Sequence, residues 1–234
     1  MKILDNINHT VREDLQDTMQ KGSRVSIAAA CFSIYAYQEL KKQLEEIAEL
    51  RFIFTSPTFV QENTPKERRE FYIPKLTREK SLYGTEFEVR LRNELTQKAL
   101  AKECADWVRR KVKFRSNVSG EQMPGFMTVG ESSYMPISGF TTVDLGCERG
   151  NNAYYPVQRT EAFENGRYFL SLFDEIWNDS SRLQDVTDIV LQSISTAYRE
   201  NSPDFIYFFT LYNIFSEFLE DVSEDNLPNN AHVR

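Results

Sequence analysis

From Arg24 to Phe54 the chain reads RVSIAAACFSIYAYQELKKQLEEIAELRFIF, and no other segment constrains the fold as strongly. Val25 to Phe32 is an unbroken run of apolar and small residues, the pattern of a strand covered on both faces. Tyr35, Leu40, Leu44 and Ile47 follow at near-helical spacing, with Lys and Glu between them. Leu50 to Phe54 is a second apolar run, stopped by Ser56-Pro57. Strand, helix, strand at this spacing is a βαβ unit, for which a parallel, right-handed crossover is the default. The expected fold class is therefore α/β.

The remaining elements are placed around that unit. A first helix is expected over Ile7–Met19, ending near Gly22. After the βαβ unit comes a polar, turn-rich excursion, and then a helix over Glu94–Lys111 that should bury Leu95, Ala99, Cys104 and Trp107. The strand VKF follows it directly. Two short strands, Phe126–Val129 and Tyr134–Ile137, should pair around Gly130-Glu131-Ser132. Three helices are expected to close the chain, over Glu164–Trp177, Leu183–Tyr198 and Asp204–Asp221. The last carries seven aromatic residues and is hydrophobic nearly all round, so it should be sandwiched between other elements. Residues 1–222 read as one α/β domain with a helical C-terminal part, and 223–234 as a linker, polar and broken by Pro228.

Composition removes several classes of function. A chain of 234 residues with 41% hydrophobic and 13% aromatic content can bury a substantial core. No apolar stretch is long enough to span a bilayer, and no charged n-region with an apolar run opens the chain, so neither membrane insertion nor export is expected. Cys31, Cys104 and Cys147 are odd in number and lack CxxC spacing, which fits reduced thiols in a cytoplasm and no zinc site. The net charge of −7 hides an asymmetry. Lys66–Arg115 holds 15 Lys and Arg against 8 Asp and Glu, whereas Asp174–Asp225 holds 2 Arg against 12 acids. Only the middle of the chain can face a polyanion, unless those cations merely solvate a helix.

Catalytic chemistry has little to work with. There is neither GxxxxGK[ST] nor GxGxxG, so no nucleotide cradle is expected. The two histidines, His9 and His232, lie in the terminal segments. A Cys147 nucleophile has no interior imidazole to deprotonate it, and a Ser–His–Asp arrangement fails for the same reason. Asp144 and Glu148 are the remaining candidates for a metal or acid–base pair. Glu86 and Glu88 share a strand face with Arg90 and read as a surface ladder.

Several separated blocks carry a family resemblance. Ser23–Phe54, ECADWVRRKVKFRS (Glu103–Ser116) and ISGFTTVDLG (Ile137–Gly146) resemble the phospholipase-D-like domain at the N-terminus of bacterial Swi/Snf-type helicases. FFTLYNIFSEFLEDVSEDNLPN (Phe208–Asn229) resembles the connector that leads into the helicase core of those proteins. The resemblance implies a phospholipase-D-like mixed sheet flanked by helices. In active members a strand carries His, one residue, then Lys, with an Asp further on; the following strand is rich in Gly and Ser and ends in Asn. The His attacks phosphorus while the Lys stabilises the charged oxygens. The corresponding strand here is GFMTVG (Gly125–Gly130), which has neither His nor Lys. Ser138 and Gly139 approximate the Ser/Asn end, followed by Phe140-Thr141.

The implied function is a catalytically lapsed accessory domain of an ATP-dependent DNA helicase, with ATP binding and hydrolysis belonging to a core absent from this sequence and reached in cis. Weak, non-specific contact with DNA is expected through Arg109, Arg110, Lys111, Lys113 and Arg115, with Lys111, Lys113 and Arg115 alternating onto one strand face. The polar loop from Ser138 to Asn152 offers Ser138, Thr141, Arg149 and Asn152 to a phosphate, or uses them to cap turns. No cofactor is expected in this chain. Two alternatives stay open: a scaffold or homodimerisation domain without nucleic-acid binding, and a metal-dependent nuclease built on Asp144 and Glu148.

Overall fold

The computed structural model describes residues 1–56, 94–148, 156–161 and 166–196. Its frame is one mixed sheet of eight strands, in the order β1-β7-β6-β5-β2-β3-β4-β8. The βαβ unit lies at its centre. Strand β2 (Arg24–Ala29) pairs in parallel with β3 (Glu49–Phe54), and β3 pairs in parallel with β4 (Val112–Asn117). Between β2 and β3 the expected helix is present in two pieces, α1 being upstream at Val11–Thr18, α2 at Ile34–Glu39 and α3 at Lys41–Glu46. The break is at Leu40, whose backbone leaves the helical region at φ −116°, ψ 13°.

Helix α4 (Glu94–Lys111) delivers the chain to β4. It buries Cys104 and Trp107 as expected, together with Leu100, Ala101, Ala105 and Val108, whereas Ala99 is exposed and the side chain of Leu95 lies outside the described residues. Trp107 donates its Nε1 to the Leu44 carbonyl at 2.9 Å, joining α4 to the end of α3. Strand β5 (Phe126–Val129) pairs antiparallel with β2 and forms a hairpin with β6 (Ser132–Met135). Strand β6 stops before Ile137 because Pro136 has no amide hydrogen to continue the ladder. Strands β7 (Val157–Thr160) and β1 (Lys2–Leu4) complete that side.

The C-terminal expectations hold in part. Helix α5 spans Gly166–Asn178, but Leu183–Asp185 is a strand, β8, antiparallel to β4, and helix α6 begins only at Thr187. At the other end, Asp5 replaces the first turn of the expected first helix. Its Oδ1 accepts the amides of Ile7, Asn8 and His9, and α1 starts at Val11 behind a capping box of Thr10 and Glu13. His9 therefore sits in this turn and outside α1. The expected helix over Asp204–Asp221, the strand around Glu86–Arg90 and the linker from 223 lie outside the described residues.

Alternation along the strands separates two cores. Val25, Ile27, Phe52, Phe114, Met127 and Tyr134 face α1, α2, α4 and α6, and Phe32, Phe52, Phe54, Phe114 and Phe140 form a linked aromatic cluster there. Each such ring pair contributes about 0.5–1.5 kcal/mol beyond area burial. Ala28, Ile53 and Phe126 face the opposite side, where Phe173 and Trp177 of α5 cover them. Among the described residues no helix is long and apolar enough to cross a membrane.

Candidate functional site

Because β2, β3 and β4 are parallel and β5 enters antiparallel beside β2, one edge of the sheet collects several loops. These are Ala30–Ser33 after β2, Val118–Gly125 between β4 and β5, and Pro136–Glu148 after β6. Open α/β sheets bind ligands at this carboxyl edge. The polar loop singled out from the sequence therefore lies where a site belongs.

Its interior is closed. Thr141, 2% exposed, gives its hydroxyl to Asp144 Oδ2 at 2.5 Å and accepts the Asp144 amide at 3.2 Å. The amides of Leu145 and Cys147 bond back to the carbonyls of Thr141 and Thr142, so Thr141–Cys147 is wound as helical turns. A Cβ on Gly139 would lie 2.6 Å from Cys31 Sγ and 2.7 Å from Asp144 Oδ2. Gly146, at φ +76°, is held under Asn6, whose Nδ2 donates to the Asp144 carbonyl at 2.9 Å. Ser138 is exposed, and its carbonyl accepts the Ala30 amide. Arg149 and Asn152 lie outside the described residues. Glu148 is half-buried, and no group of three or more His, Cys, Asp or Glu side chains among the described residues converges as a metal site. Burial, aided by the Glu39 carboxylate, pushes the Cys147 thiol up to about 11, far from the thiolate a nucleophile needs.

The five cations of Arg109–Arg115 fall into three groups. Lys111 ends α4, and its Nζ donates to the carbonyls of Glu45 at 2.5 Å and Ile47 at 2.7 Å, where α3 ends. Arg115 donates to the Trp177 carbonyl near the end of α5, with its guanidinium carbon 4.5 Å from the Trp177 ring. These two satisfy orphan carbonyls at helix C-termini and complement the helix dipoles. Arg109 pairs with Asp106 at 2.5 Å and Arg110 with Glu45 at 3.1 Å; all four side chains keep 32% or more of their surface in solvent, so such pairs are worth only about 0–1 kcal/mol. Lys113 is exposed on β4. The expected stripe of Lys111, Lys113 and Arg115 is thus one open lysine flanked by two engaged side chains.

Two features escaped the sequence. Between Ser119–Pro124 and the C-terminal half of α5 lies a cleft of about 270 Å³. Met123, Leu172 and Ile176 supply its apolar wall, and Glu121, Glu175, Asp179 and Arg182 its rim. The second feature is a row of buried hydroxyls beneath α5. Ser26, Thr128 and Ser133 stand opposite one another on β2, β5 and β6, and Arg51 Nη2 reaches Ser26 Oγ at 3.2 Å. Thr128 Oγ1 is buried with no hydrogen-bond partner among the described residues.

No family model matches this chain, and no curated protein matches it. Among solved structures, the crystal structure of phosphatidylserine synthase from Haemophilus influenzae Rd KW20 is similar over 92% of this chain, at a TM-score of 0.43 and 9% sequence identity. This chain spans 45% of the length of that one. A likeness at that level carries no argument about activity.

Proposed function

We propose that this chain is a non-catalytic module of phospholipase-D-like architecture that serves as a scaffold for a partner, without gripping nucleic acid. The observation that carries the reading is the engagement of Lys111 and Arg115 with helix-terminal carbonyls. Turning either cation to a phosphate strands those acceptors, and leaving a buried acceptor unpaired costs about 1–3 kcal/mol. Non-catalysis is supported by the composition of β5 and by the mutual closure of Thr141 and Asp144.

A second reading keeps the nucleic-acid role, as an accessory domain joined to an ATP-dependent helicase core. The exposed side chain of Lys113 and the exchangeable ion pairs of Arg109 and Arg110 favour it. Fluorescence anisotropy with short single- and double-stranded DNA at about 20 mM salt separates the two, since the Debye length there exceeds roughly 20 Å. The scaffold reading expects no binding. Binding whose log–log salt slope is on the order of −3, and which Lys113→Glu flattens by roughly one unit, overturns it in favour of DNA. Hydrolysis of a bis-aryl phosphate, with or without divalent metal, overturns the non-catalytic part.

A further inference from the structure

The cleft beside α5 has a chemistry that the scaffold reading leaves unnamed. Met123 on one side and Leu172 and Ile176 on the other make an aliphatic wall, and the rim sets three carboxylates against one guanidinium. Arg182 already uses that rim. Its Nη1 lies 3.3 Å from Glu121 Oε2 and its Nε 3.1 Å from Asp179 Oδ2, so a guanidinium bridges the loop side to the helix side. Glu175 is exposed, and its side chain takes no ion pair or hydrogen bond among the described residues. The rim therefore holds one cation and has a carboxylate left for a second.

We propose that this cleft docks a lysine or arginine side chain of a protein partner, with the aliphatic stem on Leu172 and Ile176 and the cationic head against Glu175. Long basic side chains are suited to such a place because the stem is apolar while the head stays at the rim. The volume, about 270 Å³, accommodates a single side chain and falls below the roughly 300–1,000 Å³ of drug-sized ligand pockets. The excess of carboxylates repels phosphates and excludes an acidic partner. From Asp174 to Asp188 five acids stand against one arginine, the same sign of charge, which favours encounter with a basic surface.

The inference rests on the scaffold reading and names its partner's chemistry. The test titrates the full chain with the peptide acetyl-Gly-Ala-Lys-Ala-Gly-amide and follows backbone amide resonances by NMR. Shifts confined to Gln122, Met123 and Leu172–Asp179 are expected, with a Kd near the millimolar range. Glu175→Gln, a change at an exposed position, should weaken binding roughly two- to fivefold, as for an exposed charge pair. Equal affinity for the norleucine peptide, an unchanged Kd in Glu175→Gln, or no shift at about 10 mM peptide each overturns the proposal. Such a failure removes the cleft alone, whereas failure of the scaffold reading shows itself as DNA binding.

Discussion

Replacing Asp14 with Asn keeps the shape of a buried side chain while removing the charge around which the β1–β7 side of the sheet is organised. Its side chain is 2% exposed and receives Lys2 Nζ at 2.6 Å, the Tyr134 hydroxyl at 2.8 Å, and Arg159 Nη1 at 3.2 Å to each oxygen. Breaking a buried ion pair by removing one partner costs about 3–5 kcal/mol. That range needs a discount here, because the Lys2 side chain is 52% exposed and returns to water, and Arg159 keeps a 3.2 Å contact with Glu161. What remains lost is the pairing with Arg159 and the hydrogen bond from Tyr134, each to a charged acceptor, so we expect about 2–3 kcal/mol in urea unfolding monitored by tryptophan fluorescence. The pH dependence supplies a second reading of the same network. Burial pushes the Asp14 carboxyl up, but the hydrogen bonds from Lys2 and Tyr134 and the charges of Arg159 and Lys2 outweigh it and hold it below the usual carboxylate range. A carboxyl whose folded pKa is depressed stabilises fully above its unfolded value of about 3.9, and that stabilisation drains as pH falls through the folded value. The gap between the wild type and Asp14→Asn should thus be full at neutral pH and narrow in acid. A variant within about 0.5 kcal/mol of the wild type at neutral pH, or a gap that widens on acidification, refutes this account.

Two further substitutions read other parts of the sheet. Thr128→Val removes the buried, unpartnered hydroxyl beneath α5 and should raise stability by about 0.5–1 kcal/mol; a loss of stability would mean that the hydroxyl has a partner. Gly125→Ala places a Cβ 1.8 Å from the Ile137 carbonyl oxygen, a collision between two backbones at the entry to β5, and should cost more than about 3 kcal/mol or abolish cooperative unfolding; a wild-type melting curve would refute the close approach.

Local pattern and long-range placement divide this protein between them. The βαβ unit was legible because an unbroken apolar run such as Val25–Ala29 records burial on both faces, whatever its neighbours are. Helix α4 and the β5–β6 hairpin were legible for similar reasons, one from its period and the other from the turn at Gly130. The edge strands were not. β1 and β8 have three residues each, too few to display a period, and exist only because β7 and β4 lend them partners. The same limit hid the sites. Sequence counts charges but cannot say which of them have been used: Lys111 and Arg115 read as open cations until the ends of α3 and α5 arrive beside them. Asp14 meets Lys2, Tyr134 and Arg159 only through the register of β1, β6 and β7. The cleft joins residues 119–124 to residues 172–182, brought together as α5 folds over the sheet. Composition and period are local properties and determined the layers; the pairing of charges and the shape of the surface depend on contacts distant in sequence, and only the tertiary structure decided them.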